Sequence, residues 1–102
     1  MTKKQLIGSY NYNEGTIKYK NDLIFLTDTD NKIFKVLLDN YKNVVRIEIL
    51  CKKVYNENFD EQYDKSLRTA VSRLRKKVKN IVDIECKYKF GYKLELKRKS
   101  KW

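Results

Sequence analysis

Apolar residues recur at helical spacing in the second half of the chain, and this pattern predicts its longest helix. Intervals of four, three and four residues place four of them on one narrow stripe: Leu67, Val71, Leu74 and Val78. We expect this helix to run from about Lys65 to Lys79 and to bury the stripe. At about 100° per residue, the other surfaces are polar and basic, with Lys65, Thr69, Ser72, Arg73 and Lys76 opposite the stripe, Arg68, Arg75 and Lys79 on one flank, and Lys77 on the other.

Two shorter helices are predicted before the long one. Thr27 can cap a helix start, and Asp30 follows three residues later, where an acid suits the positive end of the helix dipole. The apolar face of this first helix carries Ile33, Phe34, Val36, Leu37, Leu38 and Tyr41. A second helix is expected from about Ile47 to Tyr55, followed by a polar acidic loop from Asn56 to Asp64. The three-helix core then spans residues 27–79.

Strand patterns flank the helices on both sides. Residues 9–26 are dense in Tyr, Ile, Thr, Phe and Leu and contain two turn sequences, which predicts a small antiparallel sheet of two to four short strands. Residues 81–86 and 92–97 predict a hairpin within residues 81–97, with Lys87 to Gly91 at its tip. Strands, three helices and a terminal hairpin describe an α+β winged helix-turn-helix. We expect one domain over residues 1–102.

The positive charge is confined to one part of the chain. The net charge is +11, yet residues 1–64 hold ten basic and ten acidic residues. The last 38 residues hold 14 basic and three acidic ones, and so carry the whole excess. A surface that binds a polyanion needs such segregation, whereas solubility alone does not. A solvated lysine-rich surface is the alternative explanation.

The composition argues against an enzyme. The chain has no His, so the commonest general base and the commonest neutral metal ligand are missing, and we expect no catalytic site, metal or cofactor. Cys51 and Cys86 are interpreted as small core residues that stay reduced. The longest apolar stretch, Leu23 to Leu26, is too short to span a membrane, and the opening residues Met-Thr-Lys-Lys lack the apolar segment that a signal peptide needs. A cytoplasmic protein without membrane or small-molecule partners is expected.

The long helix has the chemistry that reading DNA requires. The major groove of B-form DNA admits one helix whose back is fixed to a core while its front presents short polar and long cationic side chains. Arg73 can bind a guanine edge through two hydrogen bonds, and Thr69 and Ser72 allow a close approach to the bases. Arg68, Arg75 and Lys76 can reach phosphates. A basic amphipathic helix that only faces water is the competing interpretation.

From Leu26 to Leu96 the chain resembles the OmpR/PhoB-type winged-helix effector domain. The family's Leu-Thr-x-x-Glu at the first helix appears as Leu26 to Asp30, and its Val-Val pair as Val44-Val45. Its Ile-x-Arg-Leu-Arg-Lys-Lys-Leu is similar to the segment from Val71 to Val78, and its Gly-Tyr to Gly91-Tyr92. Tyr55 replaces the family's Trp after the second helix. Residues from Ser9 to Phe25 match the family's sheet more loosely.

The resemblance implies a double-stranded DNA partner and a set of contacts. Matching positions would contact base edges at Ser66, Arg68, Thr69, Ala70 and Arg73. Backbone phosphates would be contacted at Tyr55, Ser72, Arg75, Cys86 and Tyr92, although Cys86 stands where Thr is usual. Tyr88 takes the place of the wing residue that enters the minor groove, with Lys87 or Lys89 able to assume that role. The loop that touches RNA polymerase in family activators would present Glu57, Phe59, Asp60 and Glu61.

Departures from the family pattern and alternative functions accompany this prediction. Arg46 stands where a Ser or Thr commonly caps the second helix, and Lys89 replaces a wing glycine. No receiver domain precedes the module, so it is either an excised effector domain or a stand-alone regulator. Tandem homodimers on direct repeats are a further expectation. The alternatives are a single-stranded nucleic-acid or RNA-binding module with Tyr stacking platforms, and a protein-interaction winged helix that docks an acidic partner.

Overall fold

The described residues form a three-stranded antiparallel sheet, three helices and a C-terminal hairpin, with a short strand between the first two helices that joins the hairpin in a second sheet. The computed structural model describes residues 9–56, 61–87 and 90–96. The N-terminal sheet is formed by β1 (Ser9–Asn11), β2 (Thr16–Tyr19) and β3 (Asp22–Phe25), and the helices are α1 (Asp28–Asp39), α2 (Ile47–Tyr55) and α3 (Glu61–Val78). The second sheet is formed by β4 (Val45–Arg46), β5 (Val82–Lys87) and β6 (Gly91–Leu96). The predicted α+β winged-helix architecture is confirmed.

The N-terminal sheet covers one side of the helical core. Its strand order is β1-β2-β3, and Tyr10, Ile17 and Ile24 face each other across the three strands. Tyr10 packs edge-on against Phe34 of α1, with ring centroids 4.9 Å apart. The turn between β1 and β2 contains Gly15 at a φ of +67°, a conformation that glycine adopts without strain. The prediction of two to four strands in residues 9–26 is therefore correct.

Helix α1 begins with the capping arrangement that the sequence predicted. The backbone N–H of Asp30 donates to the Thr27 hydroxyl, and the backbone N–H of Thr27 donates to Asp30 Oδ2, both at 3.1 Å. Two amides at the helix start are thereby satisfied. The buried face of α1 consists of Asp30, Ile33, Phe34, Leu37 and Leu38.

Helix α2 has the predicted bounds but lacks a side-chain cap at its N-terminus. Arg46 is its N-cap residue and makes no side-chain capping hydrogen bond, as its departure from the family pattern suggested. The Arg46 side chain instead pairs with Glu48 at 3.2 Å. Asn56 ends the helix with a left-handed φ of 58°. Ile47, Leu50, Cys51 and Val54 are buried, as predicted.

Helix α3 starts earlier than predicted. It runs from Glu61 to Val78, so the expected start at Lys65 and the expected loop as far as Asp64 are wrong. The extra turn has polar residues and lacks an apolar repeat, but Tyr63 packs against Tyr55, and Asp64 pairs with Arg68 one turn later. These contacts stabilise a helical turn that the sequence periodicity does not reveal. The predicted stripe of Leu67, Val71, Leu74 and Val78 is fully buried.

The second sheet joins the hairpin to the start of α2. Its strand order is β4-β6-β5, and the two-residue strand β4 pairs with Gly91 and Tyr92. The sequence predicted only an apolar link at this point. A Cβ atom at Gly91 would collide with the carbonyl oxygen of Val45, so only glycine allows this pairing. Val82, Ile84 and Leu94 from the hairpin complete the core with the three helices.

Candidate nucleic-acid interface

The polar side of α3 faces outward, as the sequence predicted. Its exposed residues include Lys65, Ser66, Arg68, Thr69, Ser72, Arg73, Arg75 and Lys76. The opposite side is anchored in the core by the fully buried stripe. The helix therefore holds a rigid cationic surface toward solvent, with a groove on either side of it.

The first groove, which we call the α1-side groove, lies between the start of α1, the end of α2 and α3. Its volume is about 640 Å³. It is lined by Thr27, Thr29, Asp30, Tyr55, Ser66, Thr69, Ala70, Arg73, Lys76 and Lys77. Four of the five predicted base-contact residues thus lie together here. Arg73 is exposed, and its guanidinium has no ion pair with a residue in the described ranges.

Two predicted contact residues in the α1-side groove are only partly accessible. Ala70 is half-buried and packs against the core, which limits it to a contact at the edge of the groove. Tyr55 is half-buried and lies 5.4 Å from the Tyr63 ring, centroid to centroid. Burial raises the pKa of the Tyr55 hydroxyl, so it remains a neutral hydrogen-bond donor near pH 7.

Lys77 ties α3 to α1 rather than extending toward a ligand. Its Nζ lies 2.5 Å from Asp30 Oδ2 and 3.3 Å from the carbonyl oxygen of Phe25. Asp30 is only 4% exposed and also serves the helix cap of α1. The sequence placed Lys77 on the basic surface, but its partner is 47 residues away and no local spacing signals the pair.

The second groove, which we call the wing-side groove, lies between the start of α2, α3 and the hairpin. Its volume is about 240 Å³, and it is lined by Ile47, Arg68, Val71, Ser72, Arg75, Cys86 and Tyr92. Four of the residues that the resemblance assigned to backbone phosphates, Ser72, Arg75, Cys86 and Tyr92, meet here. Tyr92 is 4% exposed. Burial, with Cys86 and Asp64, raises the pKa of its hydroxyl against the opposing effect of Arg68 and Arg75, which keeps it a neutral donor.

Arg68 lies apart from the other predicted base-contact residues. It lines the wing-side groove, and its guanidinium is 3.2 Å from Asp64 Oδ2. Arg73 lines the opposite groove. The base-contact set inferred from the family resemblance is therefore divided between the two sides of α3. The spacing of four residues between Asp64 and Arg68 was the signal in the sequence that could have indicated this pairing.

The two cysteines have different environments. Cys51 is fully buried, as predicted, and burial raises the pKa of its thiol. Cys86 is exposed in the wing-side groove, so its assignment to the core was wrong. Strand alternation places Cys86 on the same side as Ile84, but the hairpin has passed the edge of the core at this point.

Several predicted contact residues fall outside the described residues. Lys87 ends β5 and pairs with Glu85 at 3.0 Å, whereas Tyr88 and Lys89 at the wing tip lie outside the described ranges. Glu57, Phe59 and Asp60 of the acidic loop also lie outside them. Glu61 belongs to the first turn of α3 and not to a loop.

The part of the chain that the structure describes has no group of side chains suited to hold a metal ion. None of its helices is long and apolar enough to cross a bilayer.

A protein-family model supplies the classification. Residues 21–94 match the model described as transcriptional regulatory protein, C terminal. The chain belongs to this family. The resemblance to the OmpR/PhoB-type domain is thereby confirmed, and so is the predicted role, sequence-specific binding of double-stranded DNA for transcription regulation.

Three solved structures of regulator domains have a similar fold. The C-terminal domain of NsrR, a nisin resistance regulator, is 30% identical, with a TM-score of 0.68 over 83% of this chain and 89% of that one. The DNA-binding domain of Bacillus subtilis CssR is 22% identical, with a TM-score of 0.69 over 78% and 89%. That of E. coli CpxR is 19% identical, with a TM-score of 0.73 over 84% and 87%. No curated protein matched the sequence.

Proposed function

We propose that the chain reads double-stranded DNA with α3 in the major groove and with the β5–β6 hairpin beside the adjacent minor groove. The observation that carries this proposal is the orientation of α3, whose apolar stripe is locked in the core while its cationic side faces solvent between two grooves. A helix fixed in this way fits the width of the major groove without further rearrangement. The assigned role is binding, without a catalytic step.

Base reading is assigned to the α1-side groove. Ser66 and Thr69 are short and exposed, so the backbone of α3 can approach the base edges closely. Arg73 lies on the same side, and its guanidinium matches the two acceptors of a guanine. Ala70 would make an apolar contact to a thymine methyl group at the edge of this surface.

Backbone contacts are assigned to residues around this reading surface. Ser72, Arg75 and Tyr92 share the wing-side groove, where their hydroxyl and guanidinium groups can donate to one stretch of phosphates. Lys76 and Tyr55 lie at the α1-side groove and would contact phosphates on the other side of α3. At the wing, Lys87, Tyr88 and Lys89 would approach the minor groove.

Further partners are proposed from the family resemblance alone. Glu57, Phe59, Asp60 and Glu61 would present an acidic and aromatic surface to RNA polymerase. A tandem homodimer on direct repeats would place two copies of α3 about one helical turn of DNA apart. We infer the cytoplasm as the compartment, since a bacterial regulator meets its DNA there.

Selection of bound duplexes from a random pool tests the proposed function. We expect one recurring sequence, bound in preference to a scrambled duplex, to single strands and to RNA. Equal binding to every duplex, or preference for single strands, would contradict it. Of the tyrosines in the described ranges, Tyr12 is the one with an exposed ring, and it lies in a turn of the N-terminal sheet. Stacking of single-stranded bases on tyrosine therefore has little support from the described surface.

The two cysteines allow the position of the DNA to be tested in the native chain. The exposed thiol of Cys86 should react readily with iodoacetamide, and the buried thiol of Cys51 should react slowly. We expect the selected duplex to protect Cys86 in proportion to the fraction bound, measured by mass spectrometry. Unchanged labelling at saturating duplex would place the DNA away from the wing-side groove.

A further inference from the structure

Asp64 has a carboxylate that folding leaves only partly satisfied. Its side chain is 14% exposed, and Oδ2 lies 3.2 Å from the Arg68 guanidinium. The other oxygen, Oδ1, is buried and has no hydrogen-bond partner among the described residues. An acceptor buried in this way costs free energy of folding, and the ion pair to the exposed Arg68 offsets little of it. A contribution to stability therefore does not explain why an aspartate occupies this position.

The pair determines where the Arg68 side chain lies. Arg68 is 59% exposed, and an arginine with that freedom samples many rotamers unless a partner restrains it. Held by Asp64, it lines the wing-side groove with Ser72, Arg75 and Tyr92. Arg68, Arg75 and Tyr92 line the same groove, and the charges of Arg68, Arg75 and Asp64 all affect the pKa of the Tyr92 hydroxyl.

We propose that Asp64 is a positioning residue that holds Arg68 in the wing-side groove, where Arg68 contacts a DNA phosphate beside Arg75 instead of a base edge. This inference rests on the proposed function and names one part of its contact surface. It replaces the base-contact role that the family resemblance gave to Arg68. Arg73, the arginine to which base reading is assigned, lines the opposite groove.

The direction in which DNA affinity changes in Asp64→Asn distinguishes a positioning role of Asp64 from a simple effect of its charge. Asp64 is an acid close to the proposed phosphate site, so its charge alone repels DNA, and its removal would strengthen binding. If Asp64 restrains Arg68, then in Asp64→Asn the Arg68 side chain becomes ordered only when DNA binds. The entropy cost of that ordering then lowers the affinity for DNA. Binding then becomes weaker although the protein has become more positive.

The experiment uses Asp64→Asn, Arg68→Gln and the double variant of the full chain. Fluorescence anisotropy measures affinity for the duplex selected from the random pool and for a scrambled duplex, across a salt series. We expect Asp64→Asn to weaken both complexes by about 2- to 10-fold. Arg68→Gln should weaken both and reduce the salt slope by about one unit. The double variant should bind no more weakly than Arg68→Gln.

Asp39→Asn is the charge-matched control. Asp39 forms the same kind of pair with Lys35, at 2.8 Å and four residues apart on α1, and it lines neither groove. This control should leave affinity unchanged or slightly higher. Asp64→Glu should restore part of the lost affinity. Urea unfolding of Asp64→Asn should show a midpoint no lower than that of the wild type, which excludes a folding defect as the cause.

Three results would overturn the proposal. The first is tighter binding by Asp64→Asn, or binding equal to that of Asp39→Asn. The second is a double variant whose loss is the product of the two single losses. The third is an effect of Arg68→Gln restricted to the selected duplex, which would make Arg68 a base reader. A wild-type chain that prefers no duplex would instead contradict the proposed function itself.

Discussion

Arg73 and Lys76 are both cationic and exposed on α3, but they offer DNA different chemistry. A guanidinium can donate two parallel hydrogen bonds to guanine, whereas an ammonium attracts phosphate without regard to sequence. We expect Arg73→Ala to weaken binding to the selected duplex by about 1–3 kcal/mol and to relax base preference. Lys76→Ala should weaken binding to all duplexes alike and flatten the salt slope by about one unit.

Titrations with the selected and the scrambled duplex measure both effects. Each of the two variants serves as the control for the other, because each removes one positive charge from the same face. Equal losses on both duplexes for both variants would show that Arg73 does not read bases.

Lys77 is the residue whose loss should affect folding most among the cations of α3. Its removal leaves the Asp30 carboxylate, 4% exposed, without its cation. Breaking a fully buried pair costs about 3–5 kcal/mol, but Lys77 is 35% exposed, so screening reduces the expected cost of Lys77→Ala to about 1–2 kcal/mol. Urea unfolding at neutral pH measures this cost.

Lys79→Ala is the matched control, since Lys79 is exposed just after the end of the same helix. It should change the free energy of unfolding by less than about 0.5 kcal/mol. Equal stability of the two variants would mean that the tie between α3 and α1 contributes nothing.

At the scale of elements, the sequence pattern predicted the helix boundaries that depend on residues close together in the chain. The bounds of α2 and the capped start of α1 follow from residues close in sequence. The first turn of α3 was missed because Tyr63 packs on a residue of α2, and β4 was missed because its two residues pair with β6, more than 40 residues later. Contacts between distant segments leave no periodic pattern in a single sequence.

The candidate site was predictable to a similar extent. The outward face of α3 followed from the position of its apolar stripe, so most of its proposed contact residues were predicted to be exposed, as they are. Which of the two grooves a side chain occupies depends on its partner, as Arg68 and Lys77 show. The exposure of Cys86 depends on where the core ends beneath the hairpin, and alternation along the strand carries no such information.

Gly91 controls the pairing of β4 with β6. A methyl group at this position meets backbone atoms of Val45 and Arg46, which cannot move without opening the pair. We expect Gly91→Ala to destabilise the fold by about 1–3 kcal/mol. Thermal unfolding measures the loss, and hydrogen exchange of the Ile47 amide, which donates to the carbonyl of Phe90, locates it.

Asp83→Ala on the exposed side of β5 is the control for this variant and should leave both quantities nearly unchanged. A Gly91→Ala protein with wild-type stability and exchange would contradict the argument from steric overlap.

At the scale of the whole molecule, the neutral part and the positively charged part of the chain form different parts of the fold. The neutral first 64 residues build the N-terminal sheet, α1 and α2, whereas the residues carrying the excess charge build most of α3 and the hairpin. Three cations are assigned to phosphates: Arg68, Arg75 and Lys76. At about 0.9 unit for each phosphate contact, the logarithm of affinity should fall against that of salt with a slope of about −3.

A salt series on a scrambled duplex measures this slope without any contribution from base reading. A slope near zero would contradict the assignment of these residues to phosphates. The same series on the selected duplex separates the electrostatic part of the affinity from the part that depends on sequence.

The pairing of β4 with β6 has a consequence for the kind of duplex that the domain prefers. Because β4 leads directly into α2 and pairs with Gly91 and Tyr92 of β6, the start of α2 is held to the turn end of the hairpin. The distance between the phosphates assigned to Tyr55 of α2 and to Tyr92 of the hairpin is then set by the protein. Duplexes that adopt this distance at little elastic cost will bind more tightly, even at base pairs that no side chain touches.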